Sequence, residues 1–239
     1  MVTITNDYFY VNGVRCDTVG LSCDTPPVPP MAEQDYTEWV TGYDSPKASP
    51  DGTFNAVQYT LTCRVFKNAE GYSNDAIYAY LVNANTLTIS RLPGYYFKVL
   101  KVGGIVPVVK HDGKVIQYNV KFTLAPFRYF IENTEQAITN GQIENPGTRY
   151  SRPIYKITGR TSGNTSVTLT VNGQTFTVAS LTDTSTTITI DADKLIVYDQ
   201  AGTNLVPKTS GQIPFLAPGV NILSVSNGSL SVIGNWRSY

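Results

Sequence analysis

The single histidine, His111, is the first residue to weigh for proton transfer, because imidazole titrates near neutral pH without help. It stands among Lys110, Asp112 and Lys114, beside an Asp-Gly pair that reads as a hairpin tip. A tip gives neither burial nor an orienting partner, so His111 reads as a solvated turn residue. Any Ser-His-Asp arrangement would need that residue and lapses with it. Asp191 and Asp193, in the run DADK, would share one face of a strand and could offer oxygens to Ca²⁺. The other hard ligands of an EF-type loop are absent, and a glycosidase acid–base pair needs an enclosed site that one strand does not build. Asp at a strand end or turn accounts for both.

The remaining motifs are equally plain. Cys16, Cys23 and Cys63 are odd in number and show no metal-like clustering. They read as buried or half-buried thiols of a reducing cytoplasm, with a Cys16–Cys23 disulfide as the alternative. The loop GRTSGNTS (Gly159–Ser166) has glycines but lacks the Gly-Lys-Ser/Thr ending of a phosphate loop, so it reads as a surface loop. Trp39 and Trp236 could stack sugars, but core or interface packing is the simpler role. Asn164-Thr-Ser and Asn227-Gly-Ser match a glycosylation pattern that has meaning only for a chain that enters the secretory route. No catalytic, cofactor-binding or metal-ligating residue is nominated, no cofactor is expected, and no interface residue is singled out. An enzyme is not indicated.

The elements that carry these residues are strands. Sixteen Tyr and long runs of Thr and Val suit a pleated, half-buried surface, and 19 Gly with 14 Pro supply turns. Two-residue Asn-Gly or Asp-Gly loops fix strand pairings that can be checked against the hydrophobic pattern. At Asn12-Gly13, Val11 faces Val14 and Phe9 faces Cys16. At Asp112-Gly113, Val109 faces Ile116 and His111 faces Lys114. At Asn172-Gly173, Leu169 faces Phe176 and Val167 faces Val178, with four threonines on the other side. At Asn227-Gly228, Val225 faces Leu230 and Leu223 faces Val232. Each gives a one-sided core, which a helical period would not.

One segment is helical. After Ser73, a fitting N-cap, NDAIYAYLVNA sets Ile77, Tyr80, Leu81 and Ala84 on one face, with Asp75 in the first turn. Strands at Thr86–Leu92 and, after Pro93-Gly94, Tyr95–Val102 should follow. The stretch Asp17–Thr53 holds Pro26, Pro27, Pro29, Pro30, Pro46 and Pro50 and reads as extended arms and loops with one short strand near Trp39–Val40. Such a stretch is well placed to embrace a neighbour in an assembly.

Composition changes between Glu132 and Pro153, where the polar, turn-rich run holds Asn140-Gly141 and Asn145-Pro146-Gly147. The expectation is two mostly β domains. Residues 1–132 form an N-terminal β-sandwich with a Pro-rich arm and one short helix, and residues 133–239 a C-terminal β-sandwich. Eighteen basic and 18 acidic residues cancel, which argues against DNA binding but not against a neutral conduit for DNA. The start, MVTITNDYFYVNG, has no signal-peptide pattern, and no stretch is long enough to span a membrane. Synthesis in the cytoplasm is expected.

The order of pieces carries more than any one of them. FYVNGVRC leads to GYDSPKASPDG, QYTLTCRVF, a helix ending in AYL, RLPGYYFKVLKV and QYNVKFTLAPFRYF. Then come NPGTRYSRPIYKITG, TSVTLTVNGQTF, ITIDADKLIVYD and GQIPFLAPGVNILSV. This succession, with APFRYF and PFLAPGVNILSV its most specific parts, resembles the distal tail (Dit) proteins, the baseplate hubs of long-tailed phages (siphophages) of Gram-positive bacteria. The resemblance spans nearly the whole chain. It implies a tail-tube-like first domain that closes into a hexameric ring around the tail lumen, and a galectin-like second domain at the periphery. It also implies partners: the tail tube protein, the tail-associated (tail tip) protein and, in some phages, receptor-binding proteins. DNA only passes through the lumen, and the location is the virion tail tip. A galectin-like fold does not carry sugar binding with it. A carbohydrate-binding adhesion module of a phage is the alternative reading.

Overall fold

The computed structural model describes residues 8–23, 27–39, 47–65, 73–109, 115–161, 163–182 and 186–239. The chain divides into two compact units, Met1–Ile131 with Tyr239, and Glu132–Ser238. Strands dominate both, so the protein is mostly β with two domains.

In the first unit the elements are β1 (Phe9–Val11), β2 (Val14–Arg15), β3 (Leu21–Ser22), β4 (Gln34–Trp39), β5 (Lys47–Phe54), β6 (Val57–Val65), α1 (Asn74–Val82), β7 (Thr86–Ile89), β8 (Tyr95–Val109) and β9 (Val115–Phe130). The main sheet runs β2-β1-β7-β8-β9-β6-β3, every neighbouring pair antiparallel. Strict alternation along β6 buries Val57, Tyr59, Leu61 and Cys63 and exposes the residues between them. These pack with Phe9, Ile77, Leu81 and Phe122 in one core.

The helix begins as expected. The Ser73 hydroxyl accepts from the Ala76 N–H at 3.0 Å, and Ile77 and Leu81 are fully buried. The Tyr80 hydroxyl accepts from Val11 N and donates to Val14 O, which ties the first hairpin to the helix. The turn residue Asn12 is held at the other end of the helix. Its Oδ1 accepts from Asn85 N and Thr86 N, and its Nδ2 donates to Asn83 O.

Several expectations need correction. Strand β7 stops at Ile89 because Leu92 N turns back to Ile89 O before Pro93. Strand β8 runs on past Gly103-Gly104 to Val109, because β9 pairs it again from Ile105↔Val120 onward, the two glycines forming an irregularity in the ladder. At its far end Val109 pairs with Val115 and not Ile116, since the register slips by one beyond Val108↔Gln117. The turn itself, Asp112-Gly113, lies outside the described residues. Val11 does oppose Val14, but Val14 is 47 % exposed, because β2 is a two-residue strand at the edge of the sheet with no strand beyond it among the described residues. The Pro-rich stretch holds a real two-stranded sheet, β4 with β5, rather than one short strand near Trp39–Val40. Pro50 is tolerated there opposite Tyr36 because in a two-stranded sheet every strand is an edge. Pro26, Pro46 and Val40 lie outside the described residues.

The segment APFRYF is a bulge. Phe97 pairs with Arg128 and Val99 with Leu124, so Lys98 alone stands opposite Ala125-Pro126-Phe127. The ladder to β6 has already ended at Val57↔Leu124, so the missing N–H of Pro126 leaves no gap in it.

The second unit comprises β10 (Glu135–Ala137), β11 (Gln142–Asn145), β12 (Ile154–Thr158), β13 (Val167–Val171), β14 (Gln174–Val178), β15 (Ile188–Asp191), β16 (Ile196–Asp199), β17 (Thr209–Ser210), β18 (Gly219–Val225), β19 (Ser229–Ile233) and β20 (Arg237–Ser238). Two five-stranded sheets result, ordered β10-β19-β12-β15-β16 and β11-β18-β13-β14-β17. The inward rows, Tyr155, Ile190 and Val232 from one and Leu169, Phe176 and Leu223 from the other, are buried, as a β-sandwich requires. The hairpin at Asn172-Gly173 has the expected register, with φ of 50° and 84° at its two turn residues, the positive pair of a type I′ turn.

Asn227-Gly228 is not such a hairpin. β18 pairs with β11 and β13, and β19 with β10 and β12, so Leu223 and Val232 line opposite sheets and do not pair. Only Gly228, at 96°, has a positive φ; Asn227 does not, which excludes a type I′ geometry. The turn carries the chain from one layer to the other.

Candidate interaction surfaces

In the first unit the outer side of β2-β1-β7-β8 is aromatic. Tyr10 lies between Arg15 and Thr88 across the ladder, and Tyr96 stands opposite Tyr129 with their rings stacked at 5.5 Å. On the opposite face of β8, the one that Phe97 occupies, Tyr95 and Phe130 meet edge-on at 4.8 Å and Arg128 lies 4.5 Å from the Tyr95 ring centre. The cations of the outer side sit over rings: the Arg15 guanidinium is 4.3 Å from the Tyr8 ring centre and Lys98 Nζ is 4.4 Å from Tyr129. Each charge is thereby partly spent on a neighbouring quadrupole, and the surface becomes sticky without being strongly charged. A shallow depression of about 520 Å³, bordered by Tyr10, Gly13, Thr86, Thr88, Tyr96 and Ile131, opens on this side. It holds no nucleophile–base pair.

The opposite border of the sheet is covered thinly. β3 pairs with β6 only at Leu21↔Val65 and Ser22↔Arg64. Beyond that, the chain is pinned by side chains: Cys23 Sγ to Thr62 O at 3.3 Å and the Tyr59 hydroxyl to Pro27 O at 2.7 Å. Val28 and Met31 stand 51 % and 71 % exposed there, beside a cleft of about 250 Å³.

The residues that suggested chemistry are accounted for one by one. His111 and the Trp39 side chain fall outside the described residues. Asp191 ends β15, is buried, and its Oδ1 accepts from both Asp193 N and Lys194 N at 3.0 Å. That is an Asx turn, with Lys194 Nζ 3.7 Å from the other oxygen. Asp193 is 3.7 Å from Arg152. Among the described residues no group of three or more His, Cys, Asp or Glu side chains gathers as a metal site. Trp236 is buried, its ring lying so close over Gly234 that a methyl group there would overlap it. The three cysteines are buried thiols, and burial raises the pKa of Cys16 and Cys63 above the ordinary thiol value. On the outer face of β10-β19-β12, the Ser231 hydroxyl donates to Glu135 and holds its carboxyl below the usual range, helped by Lys156.

Sequence reasoning missed the buried polar framework of the second unit. Arg160, in the loop read as plain surface, is buried and donates to Asn164 O and Thr182 O. Asn221, fully buried in β18, accepts from Ala217 N and donates to Ala217 O and Gly219 O. Asn145 spans Arg149 O and Leu216 O. Nothing in local spacing marks these residues, since most of their partners are backbone atoms fixed by the fold.

Neither a family model nor a curated protein sequence matches the chain. Solved structures do match, and two of them are phage hub or baseplate proteins. The class of fold, two successive β units with one short helix in the first, is that of phage baseplate hubs. The particular likeness is to the SPP1 Dit protein, described as a paradigm of the hub adsorption apparatus in phages that infect Gram-positive bacteria. It has a TM-score of 0.71 at 12 % identity over 95 % of this chain and 97 % of that one. A chain of the phage p2 baseplate in its activated, Sr-containing conformation matches with a TM-score of 0.58 at 10 % identity, again over 95 % and 97 %. The chain has a Dit-like hub fold. No helix among the described residues is long and apolar enough to cross a membrane.

Proposed function

We propose that this chain is a structural hub of a phage tail, a ring component at the distal end of the tail tube with no catalytic step of its own. The observation that carries the reading is the fold likeness to the SPP1 Dit hub across 95 % of the chain. In this reading residues 1–132 close a hexameric ring and residues 133–239 form a galectin-like platform at its periphery. The ring joins the tail tube protein to the tail-associated protein and, through the platform, to receptor-binding proteins. DNA passes through without being read, in keeping with 18 basic and 18 acidic residues. The protein is made in the host cytoplasm and ends in the virion tail tip.

Two features of the first unit support a ring. The β4–β5 sheet pairs with no other strand among the described residues, so neither of its edges is taken up by strand pairing there. The aromatic side of β1-β7-β8 offers the Tyr and Arg enrichment of protein contact surfaces. Light scattering after size exclusion, alone and with the tail tube and tail tip proteins of the same genome, tests this directly. A species six times the 26.2 kDa of one chain is expected. A monomer under every condition, or gold-labelled antibody binding away from the distal end of intact tails, would overturn it.

A further inference from the structure

We infer that Cys23 and Cys63 are a cross-strand thiol pair that closes into a disulfide in an oxidising medium and staples the stretch bearing β4 and β5 to the main sheet. The argument begins with register. Leu21 pairs with Val65 and Ser22 with Arg64, where β3 ends, and the same antiparallel register carried one residue past the strand end sets Cys23 opposite Cys63. Alternation places both on the inner face, with Leu21 and Leu61, at 3 % and 0 % exposure. Directly opposite residues of an antiparallel pair have Cα atoms about 4.5–5.5 Å apart. A disulfide accepts roughly 4.4–6.8 Å, so the backbone need not move to form one.

Side-chain placement agrees. Cys23 Sγ lies 3.3 Å from Thr62 O, the carbonyl that immediately precedes Cys63, so the sulfur already points along β6 toward its counterpart. Cys16 belongs to the tight turn after β2, off the β3–β6 ladder. The favoured partner of Cys23 is therefore Cys63 and not its neighbour in sequence.

The bond would close a loop of about 40 residues that holds β4 and β5, where the chain is otherwise pinned by a two-residue strand. In a reducing cytoplasm the pair stays open. In an oxidising medium it would lock the arm's root. This inference rests on the first unit's ladder and not on the hub reading.

Diamide is a suitable probe. The two thiols give up two protons and two electrons, an S–S bond forms, and the azo compound is reduced to its hydrazide. The full-length protein is treated across a urea series below its unfolding midpoint, quenched with an alkylating agent, digested and mapped by mass spectrometry. A monomeric product lighter by about 2 Da, with a Cys23–Cys63 peptide, is expected. The Cys16→Ala variant should give the same product, whereas Cys23→Ala and Cys63→Ala should not. The oxidised protein should melt roughly 10 °C higher, an increase that dithiothreitol reverses. A bond to Cys16, only intermolecular bonds, or no bond anywhere in the series would overturn the assignment.

Discussion

Replacing Gly228 and Gly173 by alanine, in parallel, separates a crossing between layers from a hairpin. Both glycines hold positive φ, 96° and 84°, and both follow Asn. At Gly173 an added Cβ meets nothing within 4 Å, so only the backbone penalty remains, about 1–2 kcal/mol. At Gly228 the same Cβ would sit 2.5 Å from Thr158 O and 3.3 Å from Ile157 Cγ2. Thr158 cannot retreat easily, because it ends β12 and is paired with Ser229. Overpacking against backbone adds about 1–3 kcal/mol, so Gly228→Ala should cost roughly 2 kcal/mol more than Gly173→Ala. For a unit of this size that is a further drop of about 8–16 °C in Tm. Urea unfolding followed by the fluorescence of buried Trp236 reads the difference, with the urea m-value checked for constancy. Equal costs would mean that Gly228 sits in open space, as a β18–β19 hairpin would have it, and the layer crossing would be wrong.

Three further outcomes follow from single contacts. Tyr155→Phe removes the hydroxyl that donates to Pro214 O at 3.0 Å in a buried site, and should cost about 1–2 kcal/mol in the same unfolding assay. Ser73→Ala strips the cap from Ala76 N and should lower stability by about 1 kcal/mol, read as an earlier far-ultraviolet dichroism midpoint. Because burial raises the Cys63 pKa, its neutral thiol contributes fully below the unfolded thiol value, about 8.5, and the contribution fades as pH rises through the folded value. The urea midpoint of reduced wild type should therefore fall more steeply above about pH 8.5 than that of Cys63→Ala. Parallel slopes would refute the burial argument.

What could be read in advance was local. The β13–β14 hairpin needed only the alternation of Val167, Leu169 and Val171 with Thr168 and Thr170, and a turn whose two residues both accept positive φ. The helix needed only Ser73 and the spacing of Ile77 and Leu81. The same logic failed at Asn227-Gly228, where Leu223, Val225, Leu230 and Val232 alternate just as well. In a sandwich both layers present apolar rows inward, so alternation gives the face of a strand but not its sheet. The missing signal was the backbone of Asn227, which no residue type reports. Val14 failed differently: pairing with buried Val11 does not bury it, because no strand lies beyond its two-residue edge strand among the described residues.

The candidate surfaces were illegible for a related reason. Asp191 could be judged from sequence because its role, closing a turn on Asp193 N and Lys194 N, involves residues two and three positions away. The aromatic side of the first unit assembles Tyr10 from β1, Thr88 from β7 and Tyr96 from β8, and its cations, Arg15 and Lys98, are matched to rings only once the sheet order is set. A surface of that kind has no spacing signature. It is also consistent with likeness to the SPP1 hub at 12 % identity: what must persist for such a fold is which face each position occupies, and many residue types satisfy that. The Ala125-Pro126-Phe127 bulge is an exception, since a missing donor in mid-strand is tolerated only where the ladder is already broken. Residues of that sort, constrained by backbone rather than by packing, are where sequence alone speaks most specifically about this architecture.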